Sequence, residues 1–266
     1  MRHTFSDGNA KHPGALDNLG KRNVPGLANA RWMRNLTWAN DELEGLEAQA
    51  LIPILGDKPV EMGMKGKEAE LARRLARNAC YLRLFAVAFP ERGGGIDRTT
   101  ITAALASFER TMVSNQSPYD NAERQDRPLS SPAAEKGCAI FNGNGTCASC
   151  HSGPLFSDNE FHRILPQQLS GDDLGLTDVT GHGADRGLFR TPSLRNAALT
   201  APYWHDGEAK TLGKAILRHQ SLEQSASALT DREIAGLVSF IETLTDDTFV
   251  AGRRFSYPDE ACPLPN

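Results

Sequence analysis

The segment Cys147–Asp158 reads CASCHSGPLFSD and carries the pattern C-x-x-C-H. In this pattern two thiols add to the vinyl groups of a haem, and the adjacent histidine supplies an axial nitrogen to the iron. Cys147, Cys150 and His151 are therefore predicted to hold one covalent c-type haem. A zinc site needs four suitably spaced ligands and a redox C-x-x-C belongs to a βαβ unit, and the surrounding sequence supplies neither.

The composition is that of a globular chain with a core. Its 266 residues allow one large domain or two ordinary ones, and 39% hydrophobic with 23% charged residues is not a disordered composition. A formal net charge of -4 without a basic run gives no support for nucleic-acid binding. We expect no membrane span, since no apolar stretch approaches about 20 residues, and the N-terminus carries no signal-peptide core.

Apolar periodicity and capping residues predict a mainly α-helical fold. Asn40 or Asp41 is expected to cap the first helix, Ser131 a later one, and Thr230 with Glu233 forms a capping box for the last. The predicted helices span residues 41–55, 67–89, 98–113, 132–141 and 231–241.

No segment alternates convincingly as a β-strand. Residues 156–202 are rich in glycine and aspartate and are predicted to form long loops, which in compact domains usually line a site. A change of composition over residues 119–131 predicts a domain boundary, so we expect an N-terminal domain over 1–120 and a haem-binding domain over 121–266.

Two short motifs occur twice in the same order, which indicates an internal duplication. Arg22–Ala30 (RNVPGLANA) matches Phe189–Ala197 (FRTPSLRNA), and the FSD of Phe5–Asp7 matches that of Phe156–Asp158. When the separation between the two FSD segments is applied to His151, its counterpart in the first half falls immediately before the first residue. Unless the similarity of these short turns is due to chance, we expect one covalent haem in this chain and a second in the full-length protein. The missing first motif is then explained by a mis-set start, by a fragment or by real loss.

Two questions stay open at this point. The cysteines outside the haem motif allow one disulfide with a free thiol or three thiols; they are Cys80, Cys138 and Cys262. No methionine follows Met112, so the common His/Met pairing cannot come from the second half. The second axial ligand is then a histidine or another weak ligand, unless the site is open; the histidines are His162, His182, His205 and His219.

Several longer segments share their order with a known family. They are PVEMG (59–63), ALASFERTMVSNQSPYD (104–120) and DRGLFRTPSLRNAALTAPYWHDG (185–207), together with the haem segment. With these the chain resembles the bacterial di-haem cytochrome c peroxidases, the family that includes MauG. The resemblance implies two cytochrome-c-like helical domains with long loops, each holding one haem, of which the first is here truncated at its N-terminus.

The resemblance also implies roles for single residues. The Cys147–His151 haem corresponds to the electron-transferring haem, and the family's distal-ligand position is here His219, which implies bis-histidine ligation. Trp38 corresponds to a tryptophan that relays electrons between the haems. Gln49 and Glu61 correspond to the peroxidatic pocket, where a carboxylate moves a proton between peroxide oxygens during O–O cleavage.

Two further assignments come from the same resemblance. Asn23, Thr200 and Pro202 match positions that hold a calcium ion between the domains, and their oxygens are suitable hard ligands. His12 lies on the loop where reductively activated members place a removable distal histidine, although an exposed position between glycine and proline residues is the more ordinary expectation.

The function implied by the resemblance is a periplasmic oxidoreductase that reduces hydrogen peroxide with electrons from the C-terminal haem. A small cytochrome or cupredoxin would donate those electrons, and the protein would form a homodimer as family members often do. One alternative is MauG-like oxidation of a side chain on a partner protein. Others are a mono-haem electron-transfer module without peroxidase activity and a haem sensor with an open iron site.

Overall fold

The computed structural model describes residues 5–163, 173–220, 228–256 and 262. Over these residues the chain is mainly helical, as predicted, with one small two-stranded sheet. The helices are α1 (Gly45–Leu55), α2 (Glu68–Ala76), α3 (Ala79–Ala88), α4 (Arg98–Arg110), α5 (Pro118–Arg124), α6 (Pro132–Asn142), α7 (Thr177–Thr180), α8 (Leu212–Gln220), α9 (Asp231–Glu242) and α10 (Asp247–Val250), and the strands are β1 (Phe161–Arg163) and β2 (Leu188–Arg190).

Two helix pairs form the framework of the fold. In the first half α1 packs on α4 over a small core that contains Leu46 and Ala106. In the second half α6 crosses α9 over a larger aromatic core, in which Phe141 and Phe240 are buried with Leu237. Helix α6 precedes, and α9 follows, the segment that contains the predicted haem-attachment residues and α8.

Three of the predicted helices have different bounds in the structure. Helix α4 ends at Arg110 instead of residue 113, because the Thr111 and Met112 N–H groups donate to carbonyls only three residues back. Helix α1 begins at Gly45 instead of residue 41, because Gly45 adopts a left-handed φ of 85° that interrupts a helix, while the Asn40 side chain accepts the backbone N–H of Glu42 in a local turn. The single helix expected over 67–89 is two helices. Asn78 separates them and caps α3 by accepting the N–H of Cys80.

The loop region contains a short antiparallel sheet that the sequence did not suggest. Strand β1 pairs with β2 in the register Phe161 with Arg190 and Arg163 with Leu188. Each strand has three residues, which is too short for an alternating pattern to be recognised. The sheet connects the haem loop to the segment around residue 190.

The two pairs of matching motifs share an unusual local geometry. Asn29 and Asn196 both adopt a left-handed conformation, with φ of 63° and 60°, and each precedes a short 3₁₀ helix. Both side chains are buried and both bind Ser114: Asn29 pairs with its backbone, and Asn196 donates to its hydroxyl at 2.8 Å. Phe5 and Phe156 are likewise both left-handed, with φ of 62° and 51°.

The cysteines outside the haem motif are divided into one disulfide and one thiol. Cys80 in α3 is bonded to Cys262, which ties the first half of the chain to its C-terminal end. Cys138 in α6 is a free thiol, and burial raises its pKa. Among the described helices none is long and apolar enough to cross a membrane.

Candidate functional site

The haem motif forms a tight turn on the end of α6. Residues Cys147–Ser149 form one 3₁₀ turn, and the His151 N–H donates to the Cys147 carbonyl at 2.9 Å. Thr146, just before this turn, is left-handed with φ of 54°. The turn therefore brings the two predicted haem-attachment cysteines and the predicted axial histidine together on one short loop.

The His151 imidazole is oriented by a backbone carbonyl. Its Nδ1 lies 3.1 Å from the Phe156 oxygen, an acceptor, so Nδ1 carries the proton and Nε2 has the lone pair. Metal-binding histidines commonly donate their second ring N–H in this way. Burial, reinforced by the neighbouring His219, lowers the pKa of His151 to about 4, which keeps the imidazole in the neutral form that binds metals.

His219, near the end of α8, has a matching arrangement. Its Nδ1 lies 2.8 Å from the Ala215 carbonyl one helical turn earlier, which again assigns the ligand role to Nε2. Its ring lies 4.6 Å from the Trp204 ring, and Arg218 covers the indole at 4.5 Å while forming an ion pair with Asp206. The aromatic contact restricts where the His219 ring can move.

The spacing of the two histidines fits an iron between them. Their ring centroids are 6.4 Å apart. An imidazole nitrogen stands about 2 Å from a bound metal, and the ring centroid lies about 1 Å further, so two axial imidazoles on one iron have centroids about 6 Å apart. Together with the two cysteines, His151 and His219 are therefore a donor set suited to a six-coordinate c-type haem.

Trp38 is buried beside the second motif of the duplication. Its Nε1–H donates to the Asn23 carbonyl at 2.8 Å, and its ring meets the His205 ring edge-on at 6.5 Å. His205 in turn stacks on Phe189 with centroids 3.7 Å apart. Trp38 thus lies in contact with a segment that follows the haem loop, rather than in an isolated core.

Gln49 and Glu61 lie on adjoining segments of the first half. Gln49 is half-buried in α1, and Glu61 is half-buried in the turn that follows this helix. That turn is held against α1 by the Met62 and Met64 N–H groups, which donate to carbonyls of α1, while Ala15 donates to the Glu61 carbonyl at 2.7 Å. No hydrogen bond within the described part of the chain joins Gln49, Glu61 and Trp38 to one another.

The residues matched to calcium are connected but are not a complete ligand set. The Asn23 N–H donates to the His205 carbonyl at 2.7 Å, which places it near the segment containing Thr200 and Pro202. The Asn23 amide donates to Asn9, and the Thr200 hydroxyl donates to the Ala197 carbonyl. The three supply oxygen donors without a carboxylate, so the calcium assignment stays a prediction.

A second group near the haem loop has metal-ligand chemistry. Donor atoms of Cys150, Asp158 and His162 lie within 4.8 Å of one another, and His162 Nε2 is 2.7 Å from the Asp158 carboxylate. Cys150 belongs to the haem pattern, however, and a thioether-bound sulfur is not available as a thiolate ligand. The remaining pair is a half-exposed ion pair, similar to that between His12 and Asp7.

Sequence reasoning missed two buried donors. Arg190 is 5% exposed, and the described ion pairs do not include it. Trp204 has left-handed backbone with φ of 71°, and its buried Nε1–H has no partner among the described residues. The position of both within the long motif-bearing segment was the available signal, but neither exposure nor pairing can be read from a sequence.

The comparisons with known proteins agree with the motifs. The family model described as "Di-haem cytochrome c peroxidase" matches residues 1–128. The MauG protein of Methylorubrum extorquens is 34% identical over 84% of this chain, and that of Methylophilus methylotrophus is 34% identical over 90%. Cytochrome c551 peroxidase of Nitrosomonas europaea is 32% identical over 86% of the chain. The chain spans 64%, 72% and 66% of these three relatives.

Solved structures show the same relationship. A crystal structure of a MauG-like protein associated with microbial copper homeostasis superposes with a TM-score of 0.88 at 34% identity, covering 97% of this chain and 85% of that one. The di-haem peroxidase BthA of Burkholderia thailandensis shares the fold, with a TM-score of 0.74 at 21% identity. The superposition covers 99% of this chain and 81% of the BthA chain. The expected family and helical fold are therefore confirmed, and the chain belongs to the di-haem cytochrome c peroxidase family.

Proposed function

We propose that this chain functions in a di-haem peroxidase-type oxidoreductase, in which Cys147, Cys150, His151 and His219 would hold the electron-transferring haem that serves a second, peroxide-reducing haem. The observation that carries the proposal is the pair of imidazoles 6.4 Å apart beside a C-x-x-C-H turn. The family relationship implies the second haem. When bound, the haem supplies one-electron redox chemistry.

Residues of the first half of the chain would take part in the reduction of hydrogen peroxide. Reduction of hydrogen peroxide to two waters consumes two electrons and two protons, so the pocket must move protons as well as electrons. Glu61 is the carboxylate for this role and Gln49 would orient the peroxide; the hydrogen bonds that hold the Glu61 turn to α1 support this assignment because they place both residues on connected segments.

Trp38 is the proposed electron relay. It is buried, it is fixed by its hydrogen bond to Asn23, and its ring meets His205 in the segment that leads to α8. A fixed indole loses little energy to reorganisation when it transfers an electron, whereas a mobile one would be a poor relay. Asn23, Thr200 and Pro202 would hold calcium at the same junction.

The bis-histidine assignment is tested by spectroscopy of the haem-loaded protein. The wild type should carry covalent haem, counted by mass spectrometry, with a six-coordinate low-spin spectrum. His219→Ala should convert this haem to a high-spin form, while His182→Ala, an exposed histidine, should leave it unchanged. A low-spin spectrum retained in His219→Ala, or no covalent haem in the wild type, would overturn the assignment.

The substrate that is oxidised has two candidates. A small cytochrome or cupredoxin donor would make the protein a peroxidase, while the MauG relatives at 34% identity favour a side chain on a partner protein. Peroxide turnover with a reduced cytochrome donor separates the two, because the side-chain enzyme would show little donor oxidation. A Trp38→Phe variant should slow either reaction without changing the haem spectrum.

The disulfide supports a periplasmic location for the protein. Disulfides form and persist in oxidising environments, and Cys80–Cys262 is such a bond between the first half of the chain and its C-terminal end. Alkylation of thiols in cell extracts before reduction should label Cys138 and leave this pair unlabelled.

A further inference from the structure

A buried arginine stands at the end of β2 without a counter-charge. Arg190 is 5% exposed, and its one side-chain hydrogen bond runs from Nε to the Thr37 carbonyl at 3.1 Å. Over the described ranges of the chain no carboxylate forms an ion pair with it. Burial, with no compensating charge, lowers its pKa to about 10.

Other arginines of this region are compensated. Arg195, five residues later, is 8% exposed and donates to both oxygens of Asp120 at 2.8 Å. Arg22 binds Asp173 through two nitrogens at 2.9 and 2.7 Å. A buried cation without a partner is strongly unfavourable, so the Arg190 guanidinium calls for an anion that is not part of the described polypeptide.

The described contacts of Arg190 place it next to the haem loop. Its backbone N–H donates to the Trp38 carbonyl at 2.8 Å, and the next residue, Thr191, accepts the Ser157 hydroxyl of the haem loop at 2.7 Å. The Ser193 hydroxyl, three residues on, donates to the Leu155 carbonyl of the same loop at 2.6 Å. Arg190 thus lies between Trp38 and the haem loop, where the anionic groups of the predicted cofactor are its two propionates.

We propose that Arg190 is the counter-ion of a propionate of the haem attached at Cys147 and Cys150, and that it thereby positions this haem and raises its reduction potential. The inference rests on the proposed haem site. With Nε bound to Thr37, the two terminal nitrogens are available for a carboxylate, which the planar guanidinium binds through parallel hydrogen bonds.

The test is the midpoint potential of the haem-loaded protein in Arg190→Met, with Arg163→Met as the matched control. Arg163 is the exposed arginine of the paired strand β1, so the control removes the same formal charge from the same sheet. In Arg190→Met we expect a tenfold shift of the redox equilibrium toward ferric haem, which is about 59 mV for one electron. The shift follows because a nearby cation disfavours the more positive ferric iron.

The melting temperature of Arg190→Met gives a second readout. It should fall if Arg190 pairs with a propionate, and stay the same or rise if it does not. If a propionate is the partner, Arg190→Met leaves a carboxylate buried and alone, so the haem-loaded protein should melt at a lower temperature. An unchanged potential with an unchanged or higher melting temperature would overturn the proposal. Haem attachment in the wild type separates that outcome from a failure of the proposed haem site.

A conservative variant covers a folding failure of Arg190→Met. Arg190→Lys keeps the charge but loses the paired N–H groups, so the propionate bending band in the resonance Raman spectrum should shift while the potential stays near the wild-type value. A band identical to that of the wild type would show that no propionate contacts residue 190 and would overturn the proposal.

Discussion

Substitution of Gly137 by alanine tests whether the close crossing of α6 and α9 holds the second half together. A Cβ atom at this position would stand 2.0 Å from the Gly236 carbonyl oxygen, 2.5 Å from its carbonyl carbon and 2.9 Å from the Phe240 Cβ. Two of these atoms are backbone, so no side-chain rotation relieves the overlap. The helices would have to separate by more than about 1 Å to restore van der Waals contact, in a core packed as densely as a crystal.

The expected cost can be set from this geometry. Overpacking of a well-packed core typically costs about 1–3 kcal/mol, and a clash with backbone belongs at or above the upper end of that range. We therefore expect Gly137→Ala to lower the free energy of unfolding by about 3 kcal/mol. For a domain of this size that corresponds to a fall in melting temperature of about 6–12 °C, since each kcal/mol shifts it by roughly 2–4 °C.

The facing glycine provides the control. A Cβ on Gly236 would lie 3.4 Å from the Ala133 carbonyl, an ordinary contact, and alanine is about 1 kcal/mol more favourable than glycine inside a helix. Gly236→Ala should therefore be neutral or slightly stabilising. Both variants are measured by thermal melting followed by circular dichroism on haem-loaded protein. A Gly137→Ala variant that melts within about 2 °C of the wild type would refute the packing argument.

Three further predictions concern the ion pair and the disulfide. Asp120→Asn leaves the buried Arg195 without its partner and should cost about 3 kcal/mol in urea unfolding; an effect below about 1 kcal/mol would contradict this. Burial raises the pKa of Asp120, but hydrogen bonds from Arg195 and Ser117 outweigh it and hold the pKa below the usual range, so wild-type stability should fall as pH drops below about 4. Asp120→Asn should flatten that acid slope, and parallel slopes would refute it. Reduction of Cys80–Cys262, which closes a loop of 182 residues, should lower stability by up to about 5 kcal/mol, and an unchanged midpoint after reduction would oppose this.

The sequence was sufficient wherever one short pattern determines the local chemistry. The C-x-x-C-H turn and the Thr230 capping box form as expected. The helices that were misplaced failed for local reasons: the left-handed Gly45 delays α1, and Asn78 competes for backbone hydrogen bonds and divides a continuous helical pattern. Glycine and asparagine each disfavour a helix by no more than about 1 kcal/mol, which packing can outweigh, so their effect depends on the packed neighbours.

The candidate site likewise has residues that the sequence predicts and contacts that only the tertiary structure reveals. His219 was chosen from its position in a resemblance, and its orientation toward His151 depends on an α8 carbonyl and on Trp204, which are tertiary facts. The burial of Arg190 could not be predicted from its place in the motif-bearing segment, because a charged residue in a glycine-rich segment is ordinarily exposed. Its burial arises from pairing of two three-residue strands whose pattern is too short to detect.

The meeting of Asn29 and Asn196 at Ser114 bears on how such a protein could have arisen. If the two motifs are copies, as the sequence predicts, both copies depend on one serine that has a single place in the chain. One motif binds its backbone and the other its hydroxyl, so a change at Ser114 affects both. Separately expressed halves would lose at least one of these contacts, which favours their inheritance as a single unit.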